Sequence, residues 1–489
     1  MNSQGIISRA FAPLRLCVSI SLALWYCVIA APVSGHAQQS TPPPPGPSRP
    51  FVTPTITEKT LPNGLLVVMA PTRGIPKLTA VLAIRASSSA EREKHPGLSQ
   101  MCAGLLTEGT DTRTSRQIKE ELRSMGASLG SGSDQDQTTI SGSTLSEFSG
   151  RYFDLMSDVA QHPAFPETEV TLAKDNAIQG LKQQRSDPNF LGNERFQKAV
   201  FGDHPYGFVT ANEKEIGAIT RGDLKSFAAQ YYVPGNAYLI VVGDIDVDRT
   251  FAEISKSFGT WKGATAPAEA SPVPPQRDRR QIAFVNRPGS IQSVIVIGNS
   301  TFPRRDPDYI PVRTANIIYC GSFYSRLTKN IREDKGYTYS PNSSLSTYAR
   351  GGSFSAGASV RNEVTGPTLL EMFYELDKMR VLPVSAEELA NAKTFSKGAF
   401  ALELANQNAL AFRLSTVYAY GLPRDFIATF PQKIDALTAD DIERVAAKYF
   451  DTYRCAVVIV GDWEKVRDQV TPFGEVTLYD AEGNVMPKP

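Results

Sequence analysis

Two stretches of this chain repeat each other without a gap. Residues 216–245 read IGAITRGDLKSFAAQYYVPGNAYLIVVGDI, and residues 434–463 read IDALTADDIERVAAKYFDTYRCAVVIVGDW. At one constant spacing, 436 − 218 = 218, Ala218 aligns with Ala436, Asp223 with Asp441, and Gly243-Asp244 with Gly461-Asp462. A chain with this repeat is two copies of one unit of roughly 200 residues. In both copies a threonine, Thr220 or Thr438, stands as N-cap before an amphipathic helix, with an aspartate three residues on. Both then run into apolar β-branched strands, 238–242 and 456–460, that end at Gly-Asp. Further strands are predicted at 65–69, 79–85, 291–297 and 352–360. Strand hairpins followed by helices predict an α+β fold. It consists of two homologous halves, each an antiparallel β-sheet with helices packed on one face, enclosing a chamber.

The ends and the middle of the chain bound these halves. Arg9 and Arg15 precede an apolar run, 16–32, and small residues flank Ala37, which reads as a cleavable signal peptide over 1–37. The run falls short of a spanning helix, so export to a periplasm or medium without stable membrane insertion is expected. A Pro-rich linker follows at 38–50, then a first half at 51–262, an Ala/Pro-rich linker at 263–280, a second half at 281–475 and a tail at 476–489. The formal charge is +1, and +1 − 2 = −1 once the signal's two arginines are removed, with no basic clustering. Nucleic acid is therefore not an expected partner. Cys102, Cys320 and Cys455 remain after signal removal, an odd number far apart, which does not indicate a disulfide framework.

Several marks then narrow the reading. LPNGL at 61–65 opens a first strand, IRASS stands at 84–88, Gly97-Leu98 and Glu108-Gly109-Thr110 bracket a helix, and FGDHPYG follows at 201–207. Over nearly the whole mature chain this pattern resembles the pitrilysin/insulinase family of zinc peptidases, which includes the mitochondrial processing peptidase subunits. The family's metal motif is H-x-x-E-H, whose histidines share one helix face so that both reach one zinc while the glutamate polarises water. By the resemblance it should occupy residues 100–104. This chain has Gln100, Met101, Cys102, Ala103 and Gly104 there, with no histidine and no base. The stretch matching the family's third ligand, 176–186, holds no carboxylate. His95, His162 and His204 are scattered and precede prolines, and Cys102 reads as packing beside Met101 and Ala103.

The second half carries a different pattern. Tyr319, Phe323, Leu327 and Ile331 make an i, i+4 stripe, which predicts a helix with one buried face and Arg332 just off it. Gly336 is placed to cap that helix in the left-handed conformation. Tyr337 and Tyr339 then share one face of an emerging strand. Taken alone, an arginine late in a helix serves the dipole and a strand tyrosine packs. However, residues 332–340 resemble the family's R-E-x-x-G-x-x-Y-S, which supplies an arginine and a tyrosine to bound peptide. The resemblance implies Arg332 and Tyr339, with Tyr337 the rival for the second role.

Two-chain members of the family place zinc in one subunit and complete the substrate site from the other. The resemblance therefore implies a non-catalytic, substrate-binding subunit of a heteromeric zinc metallopeptidase. It would bind no cofactor itself and would pair with a homologous subunit containing H-x-x-E-H, which holds the zinc. A structural or assembly protein of the same fold is the alternative, and a self-sufficient hydrolase using other residues is a third.

Overall fold

The computed structural model of the chain describes residues 53–91, 95–263, 266, 274–275 and 277–487. The expected signal peptide and the 38–50 linker lie outside them, as does much of the 263–280 linker. The first half holds β1 (Thr57–Thr60), β2 (Leu66–Pro71), β3 (Lys77–Ile84), β4 (Ser128–Ser133), β5 (Thr138–Leu145) and β6 (Ala237–Gly243). The second holds β7 (Gln281–Asn286), β8 (Gln292–Thr301), β9 (Asn342–Thr347), β10 (Gly352–Arg361), β11 (Ala456–Gly461) and β12 (Val476–Tyr479).

These strands form two six-stranded sheets, ordered β1-β2-β6-β3-β5-β4 and β12-β7-β11-β8-β10-β9. The repeat is visible in the pairing. β6 lies parallel to β2 and antiparallel to β3, and β11 lies parallel to β7 and antiparallel to β8. Each sheet is thus mixed and not wholly antiparallel as expected, with one parallel pairing in the first and two in the second. The outer strands differ: β1 enters antiparallel to β2, whereas β12, from the segment read as a tail, runs parallel to β7. Both predicted helix starts carry full capping boxes, Thr220 with Asp223 and Thr438 with Asp441.

Each half packs its own helices on one sheet face, as the sequence predicts. The opposite face is not left to solvent, because β6 and β11 are apolar and buried on both sides. That second face is covered by a helix from the other half. Helix Gln407–Ala419 lays Leu410, Leu414 and Val417 on Val81, Ala83, Ile240 and Val242 of the first sheet. Helix Pro188–Phe201 lays Leu191, Phe196 and Val200 on Val285, Val294, Val458 and Val460 of the second. Gly192 allows this approach, since a Cβ there would already touch Val294, Val296 and Val460 at 3.5 Å. At the first sheet, Gln407 Nε2 donates to the Lys77 and Val242 carbonyls at 2.8 and 2.9 Å. Gly243, at φ +147°, leaves room for that amide. The turns joining β4 to β5 and β9 to β10 also meet: Asp136 accepts from Tyr206 Oη at 2.5 Å and from the Ala349 N–H at 2.9 Å.

Candidate functional site

The helix that should bear a metal motif is Leu98–Leu105. Gly97 begins it in the left-handed region, at φ +83°, and offers no side-chain cap. Glu91 caps it from outside, accepting from the Gly97 N–H at 2.8 Å, the Ser99 N–H at 2.7 Å and Ser99 Oγ at 2.5 Å. Met101, Cys102 and Leu105 turn into the first core, and Ser131 Oγ of β4 donates to the Ala103 carbonyl at 2.7 Å. Gln100 and Gly104 are exposed one turn apart, while Ala103 is buried. The geometry for two ligands on one face is therefore present. The chemistry is not, because an amide and a bare glycine do not replace two imidazoles.

The helix leans on Glu167–Arg185, whose 176–186 portion offers amides and no acid. A Cβ on Gly104 or on Gly180 would meet no atom within 4 Å, so these glycines border open space. Among the described residues, no group of three His, Cys, Asp or Glu converges as metal ligands. The residues present do not fit a zinc ion. His95 lies 3.7 Å from Asp223, His162 lies 3.3 Å from Asp158, and His204 accepts from the Tyr206 N–H, three separate places. Burial pushes the Cys102 thiol up to about 12, the opposite of an activated nucleophile. Cys320 and Cys455 are also buried free thiols.

In the second half the predicted single helix is broken. Helix Tyr309–Asn316 continues through a π-turn, Ile317–Gly321, stops, and resumes into a second π-helical segment, Thr328–Asp334. At the break Ser322 Oγ donates to the Ile317 carbonyl at 3.3 Å, and Ser325 Oγ to Thr328 Oγ1 at 2.9 Å. Tyr319, Leu327 and Ile331 stay buried as the stripe predicts, but Phe323 is expelled and is 55% exposed. Tyr324 beside it is 91% exposed. The i, i+4 stripe predicts Phe323 in the core and gives Tyr324 no place; Gly321-Ser322 marks the break in the sequence.

Gly336 caps the segment at φ +62°, and the Tyr337 and Thr338 N–H groups both return to the Ile331 carbonyl. The two tyrosines do not share a strand face. The chain is still turning, Thr338 Oγ1 is anchored on the Ser359 carbonyl at 2.8 Å, and β9 starts only at Asn342. Tyr337 consequently packs on the second core while Tyr339 points out, 78% exposed. Arg332 joins Tyr339: its Cζ lies 4.5 Å from that ring centroid and 4.7 Å from the Phe323 ring. Its Nε lies 3.0 Å from Glu333 Oε1. Two rings on the guanidinium and an acid at Nε leave its Nη groups to donate in the plane. Next to this array is a cleft of about 490 Å³ lined by Tyr339, Thr338, Asn342, Asn189 and Arg361. Gln100, Ala103 and Gly104 belong to the other half, and no hydrogen bond or ion pair joins them to this array among the described residues.

The model of the insulinase family (peptidase family M16) matches residues 66–214, and that of the peptidase M16 inactive domain matches residues 218–395. The chain belongs to the M16 family, the pitrilysin and insulinase peptidases. A Rickettsia felis protein named an uncharacterized zinc protease is 26% identical over 407 residues, covering 82% of this chain and 96% of that protein. The peptidase M16 inactive domain from Pseudomonas fluorescens superposes with a TM-score of 0.79 at 24% identity, over 83% of this chain and 98% of that one. A chain of complex III2 from Candida albicans gives 0.72 at 16%, over 86% and 100%. At these identities the two structures share the fold. This M16 chain thus has a first-half helix with the right exposed face and the wrong residues, and a second-half turn with an ordered arginine–aromatic array.

Proposed function

We propose that this chain is the non-catalytic, substrate-binding subunit of a heteromeric zinc metallopeptidase acting on peptides. Its zinc-bearing partner would be a homologous M16 chain with an intact H-x-x-E-H helix. Arg332 held between the Phe323 and Tyr339 rings carries the reading. Stacking fixes the plane of the guanidinium, so its free N–H edges are preorganised for a peptide carbonyl, and the Tyr339 hydroxyl is an exposed donor beside it. β4 and β9 each have an unpaired edge, to which an extended peptide adds as a strand inside a chamber between the halves and the partner. Secretion through the 1–37 segment belongs to the same proposal and rests on its sequence. Among the described residues no helix is long and apolar enough to cross a membrane.

The test is Arg332→Ala and Tyr339→Phe in the complex with such a partner. Arg332→Ala should lower kcat on an unfolded peptide about 10²–10³-fold, as loss of one transition-state donor does, with the zinc content of the complex unchanged. Undiminished hydrolysis with both residues replaced would favour the assembly role instead. Hydrolysis by the isolated chain, with zinc retained through dialysis, would favour a self-sufficient enzyme.

A further inference from the structure

Helices Tyr309–Asn316, Ala386–Leu404 and Phe426–Asp435 bring a plate of aromatic rings together. Phe400 and Phe430 have centroids 4.4 Å apart, and Phe426 and Phe430 6.0 Å. Cations lie on this plate. Arg304 Cζ is 3.4 Å from the Tyr309 ring and 5.7 Å from Phe426, Arg313 is 5.4 Å from Phe430, and Arg413 is 5.8 Å from Phe400. Lys433 Nζ adds a fourth charge, 5.7 Å from Phe426. Among the described residues, Glu403 is the carboxylate that offsets Arg304 and Arg313, and it is already committed to Arg413 Nη2 at 2.6 Å. Arg313 Nη1 donates to Ser396 Oγ at 2.5 Å, bridging two of the helices.

Arg304 is the group this arrangement leaves unanswered. It is 5% exposed, and among the described residues its guanidinium makes no hydrogen bond to a protein acceptor, although none of its nitrogens is sealed from solvent. Nε of Arg413 is both buried and without a partner. Aromatic faces cover guanidinium faces; they do not satisfy the five N–H bonds in the guanidinium plane. Enclosing such a charge without an anion is costly. Burial, with the charges of Arg413 and Arg313, pulls Arg304 down to about 9. The ligand class that relieves this presents two or more oxygens to a guanidinium fork.

We infer that Arg304, Arg313 and Arg413 form a binding site for an oxyanion, a carboxylate or a phosphate, held by guanidinium edges over the aromatic plate of the second half. The site shares no residue with the Arg332–Tyr339 array and stands or falls separately from it. Two sources could supply the oxyanion, free phosphate or the terminal carboxylate of a peptide.

The full chain is titrated calorimetrically with inorganic phosphate at constant ionic strength, with chloride as reference. Saturable binding is expected, weakened by at least about tenfold in Arg313→Gln, the cost of one charge-assisted partner. Arg304→Gln should act more strongly. Should that buried substitution prevent folding, Arg313→Gln, part-exposed, carries the test alone. A tetrapeptide with a free C-terminal carboxylate, compared with its amide, separates the sources. Displacement of phosphate by the acid alone identifies a peptide terminus, and displacement by neither identifies a free anion. Phosphate heats equal to chloride, or a folded Arg313→Gln variant binding like the parent, would overturn the inference.

Discussion

Helices Leu98–Leu105 and Tyr309–Asn316 occupy corresponding places beside β4 and β9, yet the carboxylates at their starts sit in opposite surroundings, the first capping its helix and the second tied to helix Ala439–Tyr449. The first is capped by Glu91, an enclosed carboxylate met by neutral N–H and O–H donors, and burial pushes it up to about 7 despite them. The second begins at Asp308, where burial also acts upward but Arg444, Lys448 and Tyr449, donating at 2.8–3.0 Å, pull the carboxyl below its usual range. The exposed faces diverge as well. In the paired helices Glu167–Arg185 and Ala386–Leu404, whose starts lie 386 − 167 = 219 positions apart, Asn176 and Gln183 correspond to Phe395 and Leu402, and all four are exposed. The repeat is kept where a strand or cap must form, and released where a residue meets solvent. Duplicated scaffolds can therefore carry unlike sites.

The comparison breaks most visibly if the halves can be separated. Each sheet has one face covered by the other half's helix, so damage to either helix should unfold both. Phe196 and Leu414 are buried on opposite sheets. Phe196→Ala should cost about 3–5 kcal/mol and Leu414→Ala about 2–5 kcal/mol, each in a single urea transition followed by fluorescence and circular dichroism. Two resolved transitions, one per half, would show that the exchanged helices brace the halves only weakly.

Much of this scaffold was legible in the sequence. Thr220 and Thr438 announce capping boxes, and uninterrupted apolar runs announce β6 and β11, because these signals are local. The exchange of helices was not legible, since an all-apolar strand says that both faces are covered but not by what. At the candidate site, resemblance supplied Arg332 and Tyr339, and the structure brought them together. The Phe323 contact was missed for a physical reason. An i, i+4 stripe describes a continuous α-helix, whereas π-turns insert residues and shift the register. Phe323 thereby leaves the core and becomes the second ring on Arg332. The sequence alone does not choose between Tyr337 and Tyr339, because period two holds only once a strand has formed.

The two helix starts should respond to pH with opposite signs. For Glu91 the folded value, about 7, lies above the ordinary glutamate value of 4.5. Below about pH 4.5 both states are protonated and no penalty exists; as pH rises through about 7 the enclosed carboxyl must ionise, and up to about 3 kcal/mol of stability is lost. Asp308 works the other way. Its contribution is present above the usual carboxylate range and is lost as pH falls through its depressed value. Urea unfolding from about pH 2 to 8 should show Glu91→Gln flattening the loss at high pH and Asp308→Asn flattening the loss below the usual carboxylate range. The same sign for both variants would remove the electrostatic contrast between the halves.

The smallest expected effect concerns the ion pairs that tie each helix hairpin. In the first half Arg185 meets Glu194 through two hydrogen bonds, Nη2 to Oε1 at 2.8 Å and Nη1 to Oε2. In the second half the polarity along the chain is reversed, with Glu403 preceding Arg413. Both pairs are partly exposed, so losing either pair in Glu194→Gln or Glu403→Gln should in itself cost no more than about 1 kcal/mol. They should differ in what restores them. Glu194 answers Arg185, whereas Glu403 also offsets Arg304 and Arg313. Removing Glu403 leaves three guanidinium groups to repel one another, a strain that a bound oxyanion relieves. Phosphate at constant ionic strength should therefore recover the urea midpoint of Glu403→Gln and leave that of Glu194→Gln unmoved. Equal recovery in both variants would reduce the contrast to a general salt effect.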